Sequence, residues 1–231
     1  MPKEVASRYQ VSCAGQTWPV GTVYCIGRNY AEHAAELQNP IPDSPVVFLK
    51  SAAALRHLSP QPSAGEHFVS APMAFATEIF HHEAELVLLL GQAVELGEQG
   101  RWSDIVGLTL GIDLTRREVQ TQLKAKGLPW TTAKSFAGSG ILADFQPIAA
   151  VANLESIKFT LTVNGELRQT GDSRNMLFPV PTLLTYLASL HALQPGDLVY
   201  TGTPKGVGPI RLGDKLVLQL SDANQEFCGE L

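Results

Sequence analysis

The sequence lacks the features that mark several large classes of protein. Only three of its 231 residues are cysteines, Cys13, Cys25 and Cys228, and no two of them have CxxC spacing. Neither a disulfide framework nor a thiolate metal site is therefore indicated. No apolar run approaches the roughly 20 residues that cross a bilayer. The first four residues, Met1 to Glu4, do not begin a hydrophobic signal segment, so we expect a cytoplasmic protein.

An excess of positive charge is also missing. The chain has 17 lysines and arginines against 22 aspartates and glutamates, for a formal net charge of −5. Because its basic residues are scattered, we expect neither nucleic acid nor a membrane surface as a partner. Repeats, low-complexity tracts and linker-like stretches are absent as well. At 45% hydrophobic residues, residues 1–231 are expected to form a single domain with an ample core.

Short β-type runs bounded by turn residues dominate the sequence. The predicted strands are 22–26, 46–49, 85–90, 158–163, 197–201 and 215–220, and the predicted helices are 30–37, 114–126 and 181–190. Asn164-Gly165 tolerates the positive φ of a type I′ hairpin turn. Thr115 and Glu118 have the spacing of a capping box for the second helix. Strands outnumber helices without alternating regularly with them, which predicts a mixed α/β fold with peripheral helices rather than a doubly wound parallel sheet.

Three acidic residues lie among residues that belong in a core. Glu83 and Glu85 lead into the apolar run 86–90, and Asp113 follows the apolar run 105–110. Residues i and i+2 of a strand point to one face, roughly 6.6–7 Å apart, so the two glutamates would place like charges side by side. A hard divalent cation would relieve that repulsion, with Asp113 as a third oxygen ligand. A solvated acidic face is the alternative.

Three further segments contain chemically useful groups. His33 and Glu36 are three residues apart, so in a helix they share a face, and a carboxylate beside an imidazole suits a general base. A surface pair has the same spacing. Lys134 lies among apolar and small residues and would need an anionic partner if buried, although a solvated lysine fits as well. The glycine-rich loop 201–208 exposes backbone amides that could hold a carboxylate or phosphate, or it is only a tight turn.

Taken together, these segments resemble the fumarylacetoacetate hydrolase superfamily, and within it the short single-domain branch of acylpyruvate hydrolases and oxaloacetate decarboxylases. The matching blocks occur in family order over about residues 22–220, which leaves about 1–21 as an N-terminal extension. They are 27–36, 48–50, 82–86, 111–115, 126–136, 163–169 and 196–209. The resemblance implies a fumarylacetoacetate hydrolase-type β-roll with peripheral helices, and a homodimer.

The resemblance also assigns roles to individual residues. It implies that Mg²⁺ or Mn²⁺ is bound by Glu83, Glu85 and Asp113. His33 and Glu36 would form a water-activating dyad on a lid that orders when substrate binds, and Lys134 would contact the substrate's oxygens beside the metal. The implied substrate-binding residues are Arg28, Lys50, Arg117, Gln120 and Thr203.

The implied reaction is hydrolysis of a carbon–carbon bond in a 3-acylpyruvate, which is a small 2-oxo acid. The ion would act as a Lewis acid, His33 would activate water for attack on the distal acyl carbonyl, and Lys134 would stabilise the enolate of pyruvate as it leaves. Oxaloacetate decarboxylation passes through the same enolate and is the nearest competing reaction. Isomerisation of an unsaturated 2-oxo diacid, a catalytically silent binding protein, and a protein that uses the ion only for structure are also compatible with these residues.

Three features depart from the family pattern. Arg116 is an additional basic residue at the start of the second helix, where it either adds positive charge near the pocket or faces solvent. Ser51 stands where proline is usual, after Lys50. The stretch from Ser51 to His82 is also long for the family, which affects the rim of the pocket and hence the size of the substrate.

Overall fold

The computed structural model describes residues 9–58, 79–221 and 225–231. Its strands and helices are short, and strands predominate. The strands are β1 (Gln10–Cys13), β2 (Gln16–Pro19), β3 (Val23–Gly27), β4 (Val46–Lys50), β5 (Leu55–His57), β6 (Phe80–His82), β7 (Ala84–Leu90), β8 (Ile105–Asp113), β9 (Gly140–Leu142), β10 (Gln146–Pro147), β11 (Lys158–Val163), β12 (Glu166–Asp172), β13 (Leu198–Tyr200), β14 (Gly208–Ile210), β15 (Lys215–Leu220) and β16 (Gln225–Glu230). The helices are α1 (Ala31–Glu36), α2 (Arg117–Ala125), α3 (Thr131–Lys134) and α4 (Val180–Leu190).

Within these ranges the largest sheet is mixed and has eight strands, in the order β4-β3-β13-β7-β8-β9-β5 with β10 beside β8. The pairs β3–β13 and β5–β9 are parallel and the other pairs of this sheet are antiparallel. A second antiparallel sheet has the order β12-β11-β15-β16. The hairpin β1–β2 and the pair β6–β14, whose strands are far apart in sequence, complete the described strands. The predicted mixed α/β class with peripheral helices is confirmed.

Strand β7 is buried on both faces, which explains its continuous apolar run. Leu86 and Leu88 pack into the main core with helix α4. Val87 and Leu89 point the other way, into a second cluster that includes Val11 of the N-terminal hairpin. Since side chains alternate along a strand, Glu85 shares the face of Val87 and Leu89.

Most predicted strands agree with the structure to within one or two residues, and the turn at Asn164-Gly165 is confirmed by φ values of 52° and 83°. Six of the sixteen described strands were predicted. The nine-residue strand β8, the short helix α3 and nine shorter strands were not, namely β1, β2, β5, β6, β9, β10, β12, β14 and β16. Among the helices of the described residues, none has the length and apolar character required to cross a bilayer. The long stretch that follows Ser51 includes residues 59–78, which lie outside the described ranges, as do residues 1–8 of the predicted extension.

The predicted capping box of helix α2 is wrong. The helix begins at Arg117, with Arg116 as its N-cap, because Thr115 is engaged elsewhere. The Thr115 hydroxyl donates to the Asp113 carbonyl and accepts from the Lys134 ammonium at 2.7 Å. Its backbone also pairs with His81. Thr115 therefore belongs to the acidic cluster rather than to a helix cap.

Candidate active site

The antiparallel pairing of β7 with β8 brings the three acidic side chains together. Glu85 lies opposite Gly111, and Asp113 is two residues further along the same face. Glu83 occupies the break between β6 and β7 rather than the strand itself, but the Asp113 amide still donates to its carbonyl at 2.8 Å. One carboxylate oxygen from each of the three residues lies within 4.8 Å of the others.

Gly111, the residue opposite Glu85, allows the neighbouring elements to pack closely against β8. A Cβ atom on Gly111 would lie 2.6 Å from the Ile141 carbonyl oxygen, 2.8 Å from Val87 Cγ2 and 3.0 Å from Tyr200 Cε1. Real Cβ atoms do not come so close to backbone, so glycine is the residue that lets β9 and Tyr200 pack directly against β8. Strand β9 and Tyr200 are therefore packed directly against the part of β8 that precedes Asp113.

Burial and mutual repulsion act strongly on the three carboxylates. All three are almost fully buried. Burial, followed by the charges of Asp113 and Glu83, raises the pKa of Glu85 well above its ordinary value. Burial also opposes ionisation of Glu83, but the neighbouring Lys134 and Arg117 outweigh it and lower the pKa of that carboxyl. The repulsion between carboxylates that the sequence predicted for this cluster therefore acts mainly on Glu85.

Lysine and arginine side chains point into the cluster. The Lys134 ammonium lies 2.6 Å from Glu83 and 2.7 Å from Asp113, and Arg117 pairs with Glu83. Burial disfavours the charged form of Lys134, but Asp113 and Glu83 outweigh it and raise its pKa. Lys50 Nζ lies 2.8 Å from Asp113 Oδ1 and also donates to the Ser139 hydroxyl at 3.1 Å. A solvated Lys134 is thus excluded.

The donor set fits a divalent ion. Asp113 Oδ1 is buried and accepts no hydrogen bond, since its contact with Lys50 is an ion pair without hydrogen-bond geometry. Glu85 receives one backbone amide, from Gly202 at 2.7 Å, and retains free acceptor capacity. Three converging carboxylates are the ligands that Mg²⁺ and Mn²⁺ prefer. Glu83, Glu85 and Asp113 would hold such an ion.

The predicted dyad forms at the end of helix α1. His33 Nδ1 lies 3.3 Å from Glu36 Oε2. The imidazole is buried, at 5% exposed, while Glu36 reaches the surface with 33% of its side chain exposed. Burial lowers the pKa of His33, although Glu83 and the hydrogen bond with Glu36 act in the opposite direction. With Glu36 beside Nδ1, that nitrogen carries the proton of the neutral ring, and Nε2 retains the lone pair.

The loop of residues 201–206 joins the dyad to the acidic cluster. Its Gly202 amide donates to Glu85, and its Gly206 amide donates to both carboxylate oxygens of Glu36, at 3.1 and 3.3 Å. The sequence predicted that these amides could hold a carboxylate. In the structure they hold two carboxylates of the protein itself. One loop therefore positions a metal-binding candidate and the residue that orients His33.

The remaining predicted residues lie in or beside the same pocket. Arg28, Gln120 and Thr203 line it together with His33, Glu83, Glu85, Arg117 and Lys134. Gln120 accepts a hydrogen bond from Arg117 at 2.7 Å. Lys50 lies behind the pocket against Asp113. Arg116 donates to the Thr132 carbonyl at 3.2 Å and does not line this pocket.

The sequence assigned no role to several residues that support the site. Gln169 accepts from the Ala84 amide at 2.9 Å and donates to the Thr203 hydroxyl at 2.8 Å, and it lies 3.0 Å from His82 Nδ1. Asn29 donates to the Thr201 carbonyl at 2.8 Å. Both residues fall within the matching blocks, but only their contacts show that Gln169 joins loop 201–206 to β7 and that Asn29 joins it to the segment after β3.

Comparisons with known proteins place the chain in a family. The family description "Fumarylacetoacetate (FAA) hydrolase C-terminal" matches residues 22–227. A bovine (Bos taurus) relative named "Oxaloacetate tautomerase FAHD1, mitochondrial" is 38% identical over 201 residues, which are 86% of this chain and 87% of the relative.

Two solved structures extend the comparison. Fumarylpyruvate hydrolase from Pseudomonas aeruginosa, in complex with Mn²⁺ and pyruvate, superposes with a TM-score of 0.85 at 30% identity, covering 100% of this chain and 98% of that one. The 5-carboxymethyl-2-hydroxymuconate delta-isomerase from Mycobacterium smegmatis has a TM-score of 0.72 at 26% identity, covering 94% and 84%. The chain belongs to the fumarylacetoacetate hydrolase family, and the predicted family and fold are confirmed.

Proposed function

We propose that this chain is a divalent-metal-dependent enzyme that interconverts the keto and enol forms of oxaloacetate. The observation that carries the proposal is the convergence of a buried ammonium, Lys134, and a buried neutral imidazole, His33, on one cluster of carboxylates. Enolisation needs both a base for carbon and a stabiliser for the oxyanion. The name of the 38%-identical bovine relative supports oxaloacetate as the substrate.

The ion and the protein would divide the work. A divalent ion held by Glu83, Glu85 and Asp113 supplies Lewis-acid polarisation of the 2-oxo group when it is bound. Lys134 is fixed by Thr115 and two carboxylates, so it is preorganised to stabilise negative charge on the substrate's oxygens. Gln120 and Thr203 would orient the 2-oxo acid head.

His33 would move the proton. Its Nε2 lone pair would remove a proton from C3 of the keto form, and the imidazolium or solvent would then give a proton to the enolate oxygen, which completes the enol. In the reverse direction the enol oxygen loses its proton and Nε2–H returns a proton to C3. Glu36 holds Nδ1 and stabilises the imidazolium that forms, while the Gly206 amide holds Glu36. Burial keeps the resting ring neutral at neutral pH, which is the form that the reaction requires.

Hydrolysis of 3-acylpyruvates is the second candidate, favoured by the likeness to a fumarylpyruvate hydrolase. In that reaction His33 would take a proton from water, the hydroxide would add to the distal acyl carbonyl, and the carbon–carbon bond would break to release pyruvate and a carboxylate. Oxaloacetate decarboxylation and isomerisation of an unsaturated 2-oxo diacid use the same groups. A 2-oxo acid substrate is common to all four reactions.

Rates on two substrates distinguish these reactions. The purified protein with Mg²⁺ or Mn²⁺ is assayed for loss of enol-oxaloacetate absorbance, for pyruvate released from oxaloacetate, and for acetylpyruvate cleavage. Free divalent ions also act on oxaloacetate, so each rate is compared with that of the Glu85→Gln variant at the same metal concentration. We expect the tautomerisation kcat/KM to exceed that for acetylpyruvate cleavage, and Glu85→Gln to approach the protein-free rate.

Two results would contradict the proposal. Faster cleavage of acetylpyruvate, with no acceleration of enol loss, would make hydrolysis the main activity. Full activity after exhaustive chelation would show that the reaction does not require a metal ion.

A further inference from the structure

The inner charges of the pocket balance one another. Three carboxylates, Glu83, Glu85 and Asp113, face three cations, Lys134, Arg117 and Lys50. A divalent ion bound to ionised carboxylates would give this cluster a formal charge of +2. The cluster would therefore attract the anionic head of a 2-oxo acid.

A further cation lines the same pocket. Lys124 is half-buried on helix α2, and its ammonium donates to Asn39 Oδ1 at 3.2 Å and sits 5.6 Å from the ring centroid of Trp130. Asn39 and Trp130 also line the pocket. These two contacts hold the charge of Lys124 at the pocket wall instead of leaving it to move freely in solvent.

Arg28 approaches from a different element. It follows strand β3 with a φ of 60°, an uncommon left-handed conformation for a residue other than glycine, which tends to occur at functional sites. Burial lowers the pKa of Lys124, and the charges of Arg28 and Arg117 lower it further. Neither Arg28 nor Lys124 forms an ion pair with a carboxylate of the described residues.

We propose that Lys124, together with Arg28 of the same pocket lining, binds the second carboxylate of a 2-oxo dicarboxylate and thereby selects dicarboxylates over 2-oxo monocarboxylates. The proposal rests on the function proposed above and adds a specificity determinant to it. A carboxylate would supply the counter-charge that the two cations lack, and its oxygens would accept charge-assisted hydrogen bonds from them.

Helix geometry orders the subsites. Arg117, Gln120 and Lys124 all line the pocket, and their spacing of three and four residues places them on one face of α2. At a rise of 1.5 Å per residue, Lys124 Cα lies about 10 Å along the axis from Arg117 Cα. Arg117 pairs with Glu83 at one end of this row, Lys124 lies at the other end, and Gln120 lies between them. A ligand whose head is held at the acidic cluster and by Gln120 would therefore direct its second carboxylate toward Lys124.

The test compares a dicarboxylate with a monocarboxylate in the variant Lys124→Met, which keeps the aliphatic stem over Trp130 and removes the charge. We expect the ratio of kcat/KM for oxaloacetate to kcat/KM for acetylpyruvate to fall about 10-fold, mostly through KM, because a partly exposed charged hydrogen bond is lost. Lys124→Arg should restore most of the ratio. Lys126→Met is the matched control, since Lys126 is exposed at the end of the same helix and should leave the ratio unchanged.

A binding measurement separates this proposal from the proposed function. Calorimetry with the Mn²⁺-loaded protein gives dissociation constants for pyruvate and for 2-oxoglutarate, which share a head group but differ in the second carboxylate. Tighter binding of 2-oxoglutarate that is lost in Lys124→Met supports the subsite even if neither oxaloacetate nor acetylpyruvate is turned over, a result that would refute only the function. Equal effects of Lys124→Met on both ligands and both substrates would overturn the subsite while leaving the function standing.

Discussion

The imidazole of His33 experiences opposing influences on its pKa. Burial lowers the pKa and is the largest of them, while Glu83 and Glu36 raise it. The reaction needs the neutral ring, so kcat/KM should fall as pH falls through this pKa. Because the net shift is downward, we expect the acid limb of the pH profile below the ordinary histidine value of 6.5, measured as kcat/KM for oxaloacetate against pH.

Two variants test this assignment. Glu36→Gln removes the carboxylate that raises the pKa of His33. The acid limb of the pH profile should therefore move to lower pH, while kcat/KM at neutral pH falls. His33→Ala should lower tautomerisation and acylpyruvate hydrolysis by about 10²–10⁴-fold and affect decarboxylation less. If the acid limb is unchanged in Glu36→Gln, or if His33→Ala is as active as the wild type, His33 and Glu36 do not act as the catalytic dyad.

The sequence predicted the residues that meet at the site better than it predicted their contacts. Spacing alone placed His33 beside Glu36, and buried charge alone marked Glu83, Glu85 and Asp113. Nothing local indicates that Thr115 would accept from Lys134, because the two are 19 residues apart and meet only after β9 and α3 are packed. The catalytic and metal-binding roles of the predicted site residues stay predictions.

Among the structural elements, loop 201–206 depends on a backbone conformation that side chains rarely adopt. Gly202 has a φ of +100°, and a Cβ atom there would lie 2.7 Å from Asn29 Cβ. Gly202→Ala should therefore shift the loop and withdraw the amide that holds Glu85. We expect Mn²⁺ affinity to fall about 10-fold or more, as for other residues that orient a metal ligand, measured by calorimetry.

Gly97 provides a matched control. Its φ is +84°, and an added Cβ would meet nothing within 4 Å. Gly97→Ala should cost about 1 kcal/mol of stability through backbone strain and leave Mn²⁺ affinity unchanged. Equal Mn²⁺ affinities in the two variants would show that the Gly202 amide does not support metal binding.

Strand β8 shows why an element of this length was missed. It contains Gly107 and Gly111, and glycine weakens the local signal for a strand. The packing explains both residues, because added Cβ atoms would collide with Cys13 and with Ile141 respectively. Close approach between elements far apart in sequence is a tertiary property, so periodicity could not reveal it. The turn at Asn164-Gly165, in contrast, is set locally and was predicted correctly.

At the scale of the whole molecule, metal binding should stabilise the fold. A ligand at 100 times its dissociation constant adds about 2.7 kcal/mol, which for a chain of this size raises Tm by about 5–10 °C. We expect this gain from Mn²⁺ in differential scanning calorimetry. Glu85→Gln should abolish the gain, yet leave the metal-free protein as stable as the wild type or more so, because it removes a buried like charge.

The exposed Glu118 supplies the control, since Glu118→Gln should retain the full Mn²⁺-dependent rise in Tm. A rise in Glu85→Gln equal to that of the wild type would place the ion elsewhere. The single domain over 1–231, the homodimer and the cytoplasmic location stay predictions.

The contacts of loop 201–206 have a consequence for how the family can diverge. Glu85 and Glu36 are both held by main-chain amides, which every residue except proline supplies. Both amides belong to glycines with a positive φ, Gly202 at +100° and Gly206 at +95°, so a side chain at either position would displace the amide on which the carboxylate depends. The side chains of Lys124 and Arg28 line the pocket and hold neither of these carboxylates. A lineage can exchange them, and with them its preferred substrate, without disturbing the chemistry beneath.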